Sequence, residues 1–161
     1  MTDTEKIKFQ IKLWGEYFDR SPQATIMLNN KIVVEKQEIA GTANTPITFE
    51  FTEELEIEKE YELIIKREGK DKTQTIVENG EIIKDQLLHI HSIEIDEIDI
   101  GGLIYEGLYV PKYPEPWATQ QKNAGIELPE SFKNVTCMGH NGEWKLKFSS
   151  PFYMWLLENL Y

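Results

Sequence analysis

The chain has 161 residues, 40% of them hydrophobic, and a formal net charge of −11. Runs of Ile, Val, Phe and Tyr along most of that length suit one folded domain with an extension and argue against wholesale disorder, which leaves too little apolar area to offset ordering entropy. The acidic excess lies wholly in residues 1–110, while residues 111–161 balance five lysines against five glutamates, so the surface repels phosphate backbones and anionic membranes.

The start, MTDTEKIKF, has no apolar signal run, and no stretch approaches the roughly 20 apolar residues of a membrane span. The single cysteine, Cys137, rules out an internal disulfide framework and fits assembly in a reducing cytoplasm.

In IKFQIKLW, Ile7, Phe9, Ile11 and Leu13 alternate with polar residues, which predicts a strand with one buried face. A loop follows over GEYFDRSPQ. Residues 24–39 then read as a hairpin turning at Asn29-Asn30, because Asn tolerates the positive φ that such turns need. TPITFEFTEEL alternates again through Ile47, Phe49 and Phe51, EELEIEKEYE reads as the turn into the next strand, and YELIIKREGK places Tyr61, Leu63 and Ile65 on one face. TIVENGEIIKD carries the strongest local hairpin signal, Asn79-Gly80. In LLHIHSIEIDEIDIGG the apolar parity changes twice, which predicts bulges near His91-Ser92 and Glu97.

Composition shifts at VPKYPEPW, where Pro111, Pro114 and Pro116 favour a stiff connector or arm. ATQQKNAG then reads as a short helical turn ended by Gly125, NVTCMGHNGEWKLKF as a hairpin turning through Gly139–Gly142, and FYMWLLENLY as a short helix or strand. Short strands with Gly/Asn/Pro turns and no βαβ crossover predict a mainly β, antiparallel sandwich of jelly-roll or Ig-like type over 1–102, with a Pro- and aromatic-rich arm and small docking subdomain over 103–161.

Chemistry is sparse. His89 and His91 fall on one strand face without an obvious third ligand, so a zinc site is not expected. Asp96 and Asp99 lie in a carboxylate run suited to calcium, to which Glu16 and Asp19 could contribute from a loop, although acids alternating with Ile also describe the wet face of a strand. Cys137 has His140 three residues away, which is no triad, and there is no phosphate-binding loop, so no enzyme is expected. The aromatics are the better lead: Tyr105, Tyr109, Tyr113 and Trp117 recur every fourth residue through the Pro-containing stretch, where rings can stack on sugars or fill a partner's pockets. Phe152, Trp155 and Tyr161 are candidates for the same interface. Packing as the core of a C-terminal subdomain is the favoured reading for Trp144, Phe148, Phe152 and Trp155.

The sandwich pattern followed by KDQLLHIHSIEIDEIDIGGLIY, KYPEPWATQQKNAGIELPESFKNVT and SPFYMWLLENLY resembles virion-associated proteins of tailed bacteriophages that carry a β-sandwich of the calcium-dependent, xylan-binding carbohydrate-module type. The resemblance implies a non-catalytic structural part of a tail, baseplate, fibre or capsid, assembled in the host cytoplasm. Its implied partners are other virion proteins and further copies of itself. The alternative it implies is a calcium-dependent adhesin module that recognises a surface glycan.

Overall fold

The computed structural model describes residues 3–160. Its elements in chain order are β1 (Thr4–Glu16), β2 (Gln23–Leu28), β3 (Lys31–Glu38), β4 (Ile47–Glu56), β5 (Glu60–Glu68), β6 (Ile76–Glu78), β7 (Glu81–Lys84), β8 (Leu87–Ile95), β9 (Ile98–Asp99), β10 (Leu108–Pro111), α1 (Trp117–Asn123), β11 (Phe132–Lys133), β12 (Cys137–Met138), β13 (Gly142–Ser149) and α2 (Phe152–Asn159). The fold is mainly β and every strand pair is antiparallel.

Two sheets hold the core. The first runs β12-β8-β1-β4 with β9 on β8, and the second runs β11-β10-β13-β5-β2-β3. The period-two pattern fixes which side faces in: Ile7, Phe9, Ile11 and Leu13 of β1 meet Ile26, Leu63, Ile65, Trp144, Leu146 and Phe148 from the second sheet in one buried cluster. Phe9 stacks on Phe51 within its own sheet at 4.9 Å and reaches Phe148 across the interface at 6.0 Å, between ring centroids. The pair β6-β7 forms a separate ribbon whose strand β7 is exposed throughout.

The hairpins at Asn29-Asn30 and Asn79-Gly80 form as expected, with Asn29, Asn79 and Gly80 at φ of 52°, 53° and 79°. The first parity change is a bulge: Lys12 faces Ser92 but Leu13 faces Ile90, so His91 is the extra residue and both Ile90 and Ile93 point inward. The second is not. Asp96 and Glu97, at φ of 53° and 66°, are the tight turn of the β8–β9 hairpin.

Two further expectations are corrected. The hairpin expected over residues 134–148 does not close on itself, because β12 pairs with β8 in the first sheet and β13 pairs with β10 and β5 in the second. Residues 139–141 are therefore an arch between sheets. Nor do the strands part at 102/103: β13 lies inside the second sheet, and Trp144, Phe148 and Phe152 belong to the common core. The Pro-rich stretch enters the sheet as β10 before forming α1, which Gly125 ends at φ 82°.

Candidate functional site

The register gathers three groups far apart in sequence. Trp14, His89 and Cys137 lie abreast on β1, β8 and β12, with His89 directly opposite each of the other two. The His89 ring stacks on Trp14 at 3.8 Å, and its Nε2 lies 2.9 Å from Glu16 Oε1 and 3.8 Å from Cys137 Sγ. A nucleophilic relay needs the acid on one imidazole nitrogen and the nucleophile on the other. Here both share Nε2, and burial pushes the Cys137 thiol up, with Glu16 adding to the effect, away from the thiolate form. No local sequence signal marks this meeting, which depends on strand register.

The four spaced aromatics part company. Tyr105 is exposed on a 3-10 turn over Gly101–Glu106. Tyr109, expected at an interface, is only 3% exposed, and its hydroxyl bonds both the amide and the carbonyl of His140. Burial pushes that phenol up to about 12. Tyr113 and Trp117 do come together, with ring centroids 6.0 Å apart, and His140 joins them at 5.1 and 5.6 Å. Trp117 is 36% exposed, so this cluster presents an aromatic surface.

Asp96 accepts a hydrogen bond from Tyr153, and Asp99 Oδ1 accepts from the Gly101 amide at 2.8 Å. Among the described residues no group of three or more His, Cys, Asp or Glu side chains is placed to hold a metal ion. An open groove of about 530 Å³ is lined by residues that include Lys66, Glu68, Lys112, Asn141 and Glu143, and a second of about 620 Å³ by residues that include Glu16, Tyr17, Phe18, Ile83 and Lys84.

The C-terminal helix divides its side chains by direction. Phe152 is fully buried and Leu156 nearly so, and Trp155 packs on Phe148 and Phe152 at 6.1 and 6.0 Å. Phe152, a candidate for the interface with core packing favoured, is thus core. Tyr153, Met154, Leu157 and Leu160 are 48, 59, 63 and 51% exposed, and at their spacing they form one arc. Only Glu158 and Asn159 interrupt the apolar character of α2, and a helix apolar on nearly all sides is ordinarily covered on all of them. The helix is firmly seated: Glu5 Oε1 accepts from the Ser150 hydroxyl and the Phe152 amide, both at 2.8 Å. Tyr161 lies outside the described residues.

Comparison with family models, with curated proteins and with solved structures returns no match. Among the described residues no helix is long and apolar enough to cross a membrane.

Proposed function

We propose that this chain is a non-catalytic structural component of a phage virion that docks on a neighbouring protein through the outward arc of α2. The observation that carries the reading is the division of α2: its inner side chains complete the core, while Tyr153, Met154, Leu157 and Leu160 make an apolar surface that the described residues leave exposed. A second apolar group, Tyr17, Phe18, Ile82 and Ile83, is exposed around the other end of β1. Exposed apolar surface at both ends of a strand about 40 Å long suits a part seated between neighbours. The sharing of His89 Nε2 by Cys137 and Glu16 supports a non-catalytic role. The virion assignment itself rests on the sequence resemblance.

The test is co-sedimentation of the full chain with purified virions. Wild type is expected to pellet with the particles and Leu157→Glu to stay in the supernatant; equal pelleting of both would count against docking through α2.

A second reading, a glycan-binding module, is favoured by the Tyr113–Trp117–His140 rings, since a sugar face stacks on exposed aromatic surface. It predicts that retardation in glycan-containing affinity gels is lost with Trp117→Ala. Retardation that survives the substitution would remove the ring cluster from consideration.

A further inference from the structure

We propose that the partner segment seated on α2 is cationic and amphipathic: an apolar stripe that covers Leu157 and its neighbours, flanked by Lys or Arg that meet the carboxylates around the helix. The inference rests on the reading of α2 as a docking surface and adds the chemistry of what docks.

The apolar arc has an acidic collar. Asp96 is bonded to Tyr153 at one side, Glu97 follows it in the same tight turn, Glu5 holds the helix start, and Glu158 lies exposed on α2 itself. These charges act together on Tyr153, whose phenol is held above its ordinary value, first by the hydrogen bond to Asp96, with the charges of Asp96, Glu5 and Glu97 adding. The lysines whose backbones join this region face elsewhere. Lys8, whose carbonyl accepts from Asp96, directs its ammonium to Glu50 at 4.0 Å, and Lys59, whose carbonyl accepts from Ser150, directs its own to Glu56 at 3.7 Å. Among the described residues no lysine or arginine is ion-paired with Asp96, Glu97, Glu5 or Glu158, which leaves these carboxylates for cations from a partner.

A second copy is the poorer occupant. Two-fold pairing of α2 would bring the same carboxylates together, on chains that each carry −11. A cationic amphipathic segment gains on both counts, since its apolar stripe removes the arc from water while its charges answer the collar.

The experiment titrates the full chain into two fluorescently labelled model peptides, an amphipathic helix of Leu and Lys and its counterpart of Leu and Glu, read by anisotropy. Saturable one-to-one binding of the Lys peptide alone is expected. It should weaken about tenfold or more with Leu157→Glu, and by a similar factor with Asp96→Asn plus Glu97→Gln or on raising salt. Equal binding of the two peptides, or Lys-peptide binding that ignores Leu157→Glu, overturns the inference. So does a wild-type dimer in light scattering that Leu157→Glu converts to monomer, which would make the occupant a second copy. If Leu157→Glu releases the chain from virions while the Lys peptide fails to bind, the docking surface stands and the cationic partner falls.

Discussion

The hydroxyl of Tyr109 brackets His140: it accepts from the His140 amide at 2.9 Å and donates to the His140 carbonyl. Asn141 continues the clamp, since its side-chain oxygen accepts from the Lys70 amide at 3.0 Å and its nitrogen donates to the Lys70 carbonyl at 2.9 Å. The arch that carries the chain from β12 to β13 is thus tied to β10 and to the residues just after β5 without being a strand itself. Tyr109→Phe keeps the ring and leaves both His140 groups without this partner. Urea unfolding is expected to show a loss of about 1–3 kcal/mol, and an unchanged midpoint would mean the arch does not depend on the bracket.

Gly107 lies against the fully buried indole of Trp144, and a Cβ at that position would overlap the ring. Trp144 cannot retreat, since it fills the core between Tyr109 and Ile65 on the flanking strands. Gly107→Ala is expected to cost about 1–3 kcal/mol by thermal or urea unfolding, as overpacking of a filled core does. The same substitution at Gly80, where no atom lies near the added Cβ, meets only the strain of its φ of 79° and should cost less.

Arg67 is a charge placed in the core by strand parity. It continues the inward row of Tyr61, Leu63 and Ile65, and its Nη2 donates to the Gln86 carbonyl and side chain at 2.5 and 2.9 Å, while Nε and Nη1 have no hydrogen-bond partner among the described residues. Burial lowers its pKa to about 10. Replacing both partners of a buried charged pair by apolar side chains is often neutral or stabilising, whereas removing one leaves the other unpaired, at a cost that is larger for a stranded charge than for a stranded neutral acceptor. Gln86→Ala, which takes one of the two acceptors from the guanidinium, is therefore expected to lower the melting temperature by more than Arg67→Met, which strands only the neutral oxygens of Gln86. The reverse order would show that the guanidinium contributes net stability.

Stability should fall in two stages on acidification. Burial holds His89 and His140 below their ordinary 6.5, against Glu16 for His89 and with help from Lys70 for His140. The unfolded chain takes up those protons first, so the stabilisation is complete above about pH 6.5 and declines as pH falls through the folded values. Asp85 follows the same rule at lower pH. Burial opposes its ionisation, but hydrogen bonds from Lys70, Thr75 and the Gln86 amide outweigh burial and hold it below 3.8, so its contribution persists above that value and is lost beneath it. Melting curves across pH should show both declines, with His89→Gln flattening the first. A melting temperature constant from about pH 7 to 5 would contradict the assignment.

What the sequence disclosed follows from the range of the interactions involved. Asn79-Gly80 and the parity change at His91 are local facts, since turn residues with positive φ and an extra residue in a period-two strand leave marks within a few positions. The arch at 139–141 has the turn residues of a hairpin, but turn chemistry does not say whether the flanking strands pair with each other, and β12 is only two residues long. Regular spacing likewise could not part Tyr109, which lies in the core, from Trp117, which lies at the surface, because the backbone between them passes from β10 into α1. The meeting of Glu16, His89 and Cys137 needs the register of three strands and lies beyond any local pattern. In α2 the apolar content was plain, but the division between Phe152 and Leu157 depends on where β13 delivers the helix.

The docking claim is tested most directly by hydroxyl-radical footprinting of Met154, compared between the free chain and the chain within purified virions. Met154 is 59% exposed in the isolated chain and should oxidise readily there. The account predicts strong protection of Met154 in the particle while Tyr105, exposed on its 3-10 turn, stays reactive. Equal oxidation of Met154 in both states would contradict it.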